Sequence, residues 1–401
     1  MNFRFTKSFI DPPGSPIREL FPYLSWPGMI SFAGGYPSPS LFDTVGLAEA
    51  GHRALANAAS CLQYGATEGI PLLREALALL GHSRGICRNA SDILVTTGSQ
   101  QGFDLLTRIF VTPGDVVYVE TPAYPAAIQA LRLAGARIRE IPVDAHGLEV
   151  DRLEASLQDS LPTECPKFLY TVPNFSNPCG TLLAPERREK LVQLAIQYNL
   201  LLIEDDPYGE LNFSVERPVS LFQTGDRLAG ADNPVVYLSS LSKTVAPALR
   251  IGWMVAPAEI LRRCAIAKQT VDLCTSPLVQ MVAVEYLASN RYFGAVGRAC
   301  TEYALRMRTM VDALNTELPG KVRFVGPEGG MFIWVESVDA IDPKALFHTA
   351  VDHGVLYVPG SAFYPVEPNP NTMRLSYAAP SAEEISQGVA RLGKAWRSLA
   401  S

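Results

Sequence analysis

Apolar and polar positions along the chain fall into two rhythms that alternate for the first two thirds of its length. Short strands are predicted at Ile93 to Thr97, Val116 to Glu120, Arg137 to Pro142, Lys167 to Thr171, Leu200 to Ile203 and Val235 to Leu238. Several of these are apolar on both sides, as strands covered on two faces must be. Helical spacing occupies Leu47 to Ala59, Pro71 to Leu80, Gln100 to Phe110, Ala126 to Ala134, Leu148 to Leu157 and Pro185 to Tyr198. Strands alternating with helices predict an α/β fold, a mostly parallel central sheet with helices on both faces. After Gln269 the rhythm changes. A long helical stretch runs from Leu278 through Leu318, broken near Asn290 to Phe293. Strands follow at Val322 to Val325, Met331 to Val335, Val355 to Pro359 and Met373 to Tyr377. A last helix opens at Ser381 with Glu384 three residues on, a capping-box spacing. This end of the chain predicts a smaller α+β domain. The first forty residues are rich in Pro, Gly and aromatics, with one short helix near Ile17 to Tyr23. The expected organisation is an arm over residues 1–41, a large domain over 42–280 and a small domain over 281–401.

Polar residues collect where the strands end. Ser99, Tyr124, Asn177, Asp205, Tyr208 and Lys243 all follow or close a predicted strand, the side on which parallel sheets bind ligands. Gly98-Ser99-Gln100 lies in a strand–turn–helix passage of the kind that offers backbone N–H groups to an anion. The stretch Ser240-Leu241-Ser242-Lys243 follows the strand Val235 to Leu238, with Arg250 seven residues beyond the lysine. An ammonium that is desolvated or set near another cation loses its proton and can form a Schiff base. The hydroxyls of Ser240 and Ser242 and the Arg250 guanidinium can hold a phosphate beside it. A phosphate anchor next to an amine that attacks aldehydes is what pyridoxal 5′-phosphate requires.

Composition narrows the alternatives. A chain of 401 residues, 48% hydrophobic, can bury a large core. Its net charge of −6, without a long basic run, argues against a nucleic-acid partner. Seven cysteines stand singly and the five histidines lie apart. That usage suits reduced thiols in the cytoplasm and speaks against a metal centre or a Ser-His catalyst. No secretory signal and no apolar run long enough to span a bilayer is evident, so no membrane partner is expected.

The chain resembles a fold-type I, class I/II aminotransferase from the Gly34-Gly35 turn to the C-terminus. The nearest subgroup is the 2-aminoadipate/kynurenine aminotransferase-like one, which also supplies the C-terminal domain of MocR-type regulators. Six segments carry the resemblance: Ser31-Phe32-Ala33-Gly34-Gly35, Gly98-Ser99-Gln100-Gln101, Asn174-Phe175-Ser176-Asn177-Pro178, Glu204-Asp205-Asp206-Pro207-Tyr208, the lysine stretch and Arg374-Leu375-Ser376-Tyr377. The resemblance implies roles residue by residue. Lys243 is the Schiff-base lysine and general base, and Asp205 faces the pyridine nitrogen. Asp206 is the competitor for that place, but neighbouring side chains in a strand point apart. Asn177 and Tyr208 donate to the ring oxygen, and Tyr124 stacks on the ring. Ser99, Gln100, Ser240, Ser242 and Arg250 form the phosphate cup, joined by Tyr64 from the other subunit of a homodimer. Arg374 clamps the substrate α-carboxylate with Gly35 and Asn174, and Arg18 in the N-terminal helix reads an acidic side chain. The family's usual Asn-Pro-Thr-Gly is here Asn177-Pro178-Cys179-Gly180, and its usual Pro-Gly is Pro247-Ala248. The implied activity is transfer of the amino group of an L-amino acid (2-aminoadipate, aromatic or aliphatic) to a 2-oxo acid, 2-oxoglutarate, by a ping-pong cycle. A β-lyase on the same scaffold, or a fragment of a MocR-type regulator, is the alternative.

Overall fold

The computed structural model describes residues 3–10, 12, 14–56, 61–160, 164–339 and 341–400. Its strands are β1 (Ile30–Ser31), β2 (Ile93–Thr96), β3 (Val116–Thr121), β4 (Arg137–Asp144), β5 (Gly147–Leu148), β6 (Phe168–Thr171) and β7 (Leu201–Asp206). They continue as β8 (Val235–Ser240), β9 (Gly252–Val255), β10 (Val322–Phe324), β11 (Phe332–Ser337), β12 (Val355–Leu356), β13 (Val358–Pro359) and β14 (Thr372–Ser376). The principal sheet has the order β2-β9-β8-β7-β6-β3-β4-β5. Its central pairs, β8 with β7, β7 with β6, β6 with β3 and β3 with β4, are parallel. The alternation of strands and helices thus predicted the architecture, and the small antiparallel sheet β10-β11-β14-β13 supplies the second unit.

Strand alternation splits the interior into two cores. Val117, Val119, Phe168, Tyr170, Ile203, Val236 and Leu238 pack on one face, against Phe103, Leu106, Ile128 and Leu131 of the helices Ser99–Phe110 and Pro125–Leu133. Tyr118, Leu169, Leu202, Val235 and Tyr237 face the opposite way, onto Leu191, Val192, Leu221 and Phe222 of the helices Pro185–Gln197 and Leu221–Ala229. All six residues of β8 are buried. Burying a Val, Leu, Ile or Phe side chain contributes about 1.5–3 kcal/mol each, so this double-sided packing holds the strand ends in register.

Several elements were not predicted, among them the helix Pro343–Asp352, the short strands β1 and β5, and the three that follow. β9 is an antiparallel strand between β2 and β8; its four residues follow the lysine loop too closely to show a period of their own. The helix Leu221–Ala229 announces itself only by its cap, where Ser220 Oγ accepts from the Gln223 backbone N–H at 3.0 Å. The helix Ala258–Gln269 buries Leu261, Cys264, Ala265 and Lys268, the last a polar interruption of its apolar face. Elsewhere boundaries move by a few residues. The helix Thr44–Ala56 starts before Leu47, and its predicted continuation to Ala59 lies outside the described residues. The capping box at Ser381 and Glu384 forms, with bonds of 2.8 and 3.2 Å. Among the described residues no helix is long and apolar enough to cross a membrane.

The N-terminal segment belongs to the C-terminal half in packing. β1 pairs in parallel with β12. The short helix Arg18–Ser25 is a 3₁₀ helix, with Pro22 inside it. It seats the buried Leu20 against Val351, Leu356, Val358 and Phe363, and Tyr23 meets Phe347 edge-on with ring centroids 6.0 Å apart.

Candidate active site

A cavity of about 290 Å³ opens beyond the carboxyl ends of β2, β3, β6, β7 and β8. The chain reverses its direction of travel across the sheet between β3 and β6, and such a switch leaves a crevice at the strand ends. Ser99, Gln100, Tyr124, Asn177, Asp205 and Tyr208 line it. So do Ser240, Ser242, Lys243 and Arg250 from the end of β8 and the loop beyond it, Gly35 from the N-terminal segment and Arg374 from β14.

Lys243 donates from Nζ to the Gly35 carbonyl at 2.7 Å. Burial, reinforced by the charges of Arg374 and Arg250, lowers its amine to about 8, against the pull of Asp205. Asp205 lies 5% exposed near the end of β7. Its Oδ2 accepts from the Tyr170 hydroxyl at 2.7 Å, while Oδ1 is buried without a hydrogen-bond partner. Burial raises this carboxyl to about 6; the Tyr170 bond resists the rise and Asp206 adds to it. Asp206 turns to the other face, as the pleat requires, taking the Gly209 N–H at 2.9 Å and the Tyr237 hydroxyl at 3.1 Å. Tyr208 is 4% exposed, and burial raises its hydroxyl well above the ordinary tyrosine value. Burial raises Tyr124 as well, with the Asp205 charge adding to the shift.

Arg374 is fully buried. Nη1 donates to Asn177 Oδ1 at 2.7 Å and Nη2 to the Ala33 carbonyl at 2.6 Å, while Nε has no partner. The guanidinium stacks on the rings of Phe332 and Phe363, 4.4 and 5.0 Å from their centroids. Burial lowers it to about 10. No carboxylate among the described residues pairs with it. A buried cation without a counter-ion is costly, so the position demands an incoming anion.

A second candidate anion seat lies at the start of the helix Ser99–Phe110. Gly98 has φ +87°, and a Cβ there would come within 2.4 Å of an Arg250 nitrogen. Only glycine admits both the left-handed backbone and the guanidinium. Arg250 itself takes φ +53° at the end of the turn Pro247–Leu249. Ala248 needs no positive φ, which is why the departure from Pro-Gly is accommodated. Ser240 Oγ donates to the Ile251 carbonyl at 3.0 Å and lies 2.7 Å from Ser242 Oγ. Amine, orphaned carboxylate oxygen, glycine cradle and unpaired guanidinium together fit a phosphorylated pyridine aldehyde and a carboxylate-bearing substrate.

The sequence matches the family Aminotransferase class I and II over residues 33–392. The chain is a class I/II aminotransferase. It is 39% identical over 393 residues to the aromatic-amino-acid aminotransferase 1 of Thermococcus litoralis, covering 97% of this chain and 93% of the relative. It is 40% identical over 386 residues to the 2-aminoadipate transaminase of Thermus thermophilus, covering 96% and 94%. The crystal structure of the α-aminoadipate aminotransferase LysN from Thermus thermophilus, complexed with N-(5′-phosphopyridoxyl)-L-leucine, superposes with a TM-score of 0.90 at 39% identity, covering 99% of this chain and 98% of that one.

Three expected site residues of this aminotransferase lie outside the cavity. Asn174 is buried elsewhere, with its Oδ1 taken by Arg188 Nη2 at 2.7 Å. Phe175, left-handed at φ +51°, turns the backbone between Asn174 and Asn177. It is Asn177 that meets Arg374. Arg18 is exposed on the outer side of its helix, which shows the cavity Ile17, Leu20, Phe21 and Leu24 instead. That i, i+3, i+4, i+7 spacing was a legible apolar face. Tyr64 is 79% exposed and touches no part of the cavity. Sequence reasoning also passed over Tyr170, Phe332 and Phe363, because buried aromatic residues ordinarily signal core alone.

Proposed function

We propose that this aminotransferase moves the amino group of aromatic, aliphatic and 2-aminoadipate L-amino acids to 2-oxoglutarate by a ping-pong pair of half-reactions. The observation that carries the reading is Arg374, buried and without an acidic partner, in the same cavity as the Lys243 amine. Both donate to one short turn, Arg374 to the Ala33 carbonyl and Lys243 to the Gly35 carbonyl.

The cofactor is pyridoxal 5′-phosphate, which supplies an aldehyde for the amine and a pyridine ring that accepts electrons from the substrate Cα. Asp205 offers its free Oδ1 to a ring N–H, and charge there restores the carboxylate that burial disfavours. Asn177, with Oδ1 engaged by Arg374, keeps its amide N–H₂ for the ring oxygen, beside the Tyr208 hydroxyl. The Ser99 turn, Gln100, Ser240, Ser242 and Arg250 hold the phosphate. Lys243 takes the proton from the substrate Cα, and its lowered pKa leaves about a tenth of the amine neutral and basic at pH 7, against well under a thousandth for an ordinary lysine. Arg374 orients the α-carboxylate so that this proton points at the amine.

Donor side chains lie against Ile17, Leu20, Phe21 and Leu24, which suits aromatic and aliphatic groups. Arg18, on the same helix, serves a second carboxylate when the arm shifts. The functional unit is a cytosolic homodimer in which Tyr64 of the partner subunit completes the phosphate site; its high exposure in the single chain supports this reading. A donor panel against 2-oxoglutarate, followed by spectra of the amino and aldehyde forms of the cofactor, tests the assignment. Turnover of phenylalanine, leucine and 2-aminoadipate supports it. No spectral change with any of the three would overturn it.

A further inference from the structure

Behind the phosphate seat, every polar group of Thr97 is engaged. Its N–H donates to Gln101 Oε1 at 2.8 Å. Its hydroxyl donates to Asp272 Oδ2 at 2.8 Å and lies 3.1 Å from the Thr275 hydroxyl. Its carbonyl accepts from Arg250 Nη2 at 3.1 Å. Gln101 Nε2 donates to the same Asp272 Oδ2 at 2.7 Å. Lys268, 0% exposed, donates to the other oxygen, Asp272 Oδ1, at 2.6 Å. Thr97, Gln101, Lys268 and Asp272 all stand outside the cavity lining. The cluster therefore ties the end of β2, the helix Ser99–Phe110 and the segment after the helix Ala258–Gln269 to one carboxylate.

We propose that Asp272 is a positioning residue for the cofactor phosphate, acting through Gln101 and Thr97 to fix the turn Gly98-Ser99-Gln100 and the reach of Arg250. This rests on the reading that the turn receives the phosphate. Arg250, a residue with a Cβ, holds left-handed backbone there, a conformation that persists only when the surroundings over-determine it. Two charge-assisted bonds that Asp272 accepts, from the Thr97 hydroxyl and the Gln101 amide, supply that constraint. A turn already ordered loses less freedom when the anion arrives. A carboxylate behind an anion site would ordinarily repel the ligand. Here the fully buried Lys268 ammonium neutralises it. Burial works against the Asp272 charge, but the bonds from Lys268, Gln101 and Thr97 hold its pKa below the usual carboxylate value.

The test uses the full chain stripped of cofactor, titrated with pyridoxal 5′-phosphate and, separately, with pyridoxal, which lacks the phosphate. Visible absorbance reports binding of each. Asp272→Asn keeps the shape and removes the charge. Because it also weakens the partner of a buried ammonium and can unfold the chain, Gln101→Leu is the second variant, cutting the clamp while leaving the ion pair. Each lowers affinity for pyridoxal 5′-phosphate roughly tenfold, the effect of one or two lost hydrogen bonds, with pyridoxal unchanged. An equal fall for both ligands, or no fall for either, overturns the positioning role. Arg250→Ala controls the premise. If it lowers the ratio of the two affinities while Gln101→Leu does not, the phosphate seat stands and the positioning role alone fails. If Arg250→Ala leaves the ratio unchanged, the phosphate sits elsewhere and the proposal falls with its premise.

Discussion

The two walls of the cavity are built differently. The wall made by the strand ends is polar, buried and interlocked: Asp205, Tyr208 and Arg374 are 5%, 4% and 0% exposed. The opposite wall, the helix Arg18–Ser25, presents apolar side chains, and Phe21 and Leu24 remain 54% and 37% exposed. One wall is held by a sheet buried on both faces. The other is held by Leu20, a short strand pairing and the carbonyls of Ala33 and Gly35 that receive Arg374 and Lys243. Set beside the proposed function, the difference divides the labour: groups that would meet every substrate at fixed distance sit on the interlocked, rigid wall, and groups that would sort side chains sit on the exposed, soft one.

The sharpest test of the rigid wall is Lys243→Ala. On the proposed roles it removes nucleophile and base together, so transamination should fall by several orders of magnitude with every donor. Borohydride fixation of the bound cofactor should label only the peptide that carries Lys243. Labelling elsewhere would break the assignment. Next in size is Arg374→Ala, which leaves the α-carboxylate without its charge-assisted pair. A loss of roughly 2–5 kcal/mol corresponds to about a thirtyfold to several-thousandfold fall in kcat/KM. The fall should be the same for acidic, aliphatic and aromatic donors. A donor-dependent loss would mean that Arg374 also reads side chains.

The pH dependence of cofactor capture tests the electrostatics of the same wall. Burial, with Arg374 and Arg250, lowers the folded Lys243 amine to about 8 from the ordinary lysine value of 10.5. Below that pH the amine is protonated and cannot attack; above it the amine is neutral. Capture of pyridoxal 5′-phosphate by the cofactor-free chain should rise about fiftyfold from pH 6 to pH 8 and level off above. A rise that continues to pH 10 would show that burial does not depress this lysine.

Most of the rigid wall was legible in the sequence, because a buried parallel strand is an apolar run and the first polar residue after it marks the ligand side. The pleat set Asp205 and Asp206 on opposite faces, and the resemblance to the family chose between them. Asn174 was not distinguishable from Asn177, since the left-handed Phe175 between them is invisible in residue types. Gly329 and Gly330 make room for that residue, and a Cβ on either would come within 2.6 Å of Phe175. The other wall was read only in part. A charge drew attention to Arg18, while the apolar spacing from Ile17 to Leu24 defined the surface that faces the cavity. The antiparallel β9 escaped notice because it follows directly on the lysine loop and opens on Gly252, a residue that ordinarily interrupts strands.

The measurement that bears most directly on the division between the walls is the half-reaction kcat/KM of Phe21→Ala and Arg18→Ala with phenylalanine, leucine, glutamate and 2-aminoadipate as donors. Phe21→Ala removes apolar contact, and a fall of about tenfold is predicted for phenylalanine and leucine only. Arg18→Ala should give a fall of about tenfold for glutamate and 2-aminoadipate only. If both variants slow all four donors by one common factor, the arm is a structural cover, and selectivity must be sought on the rigid wall.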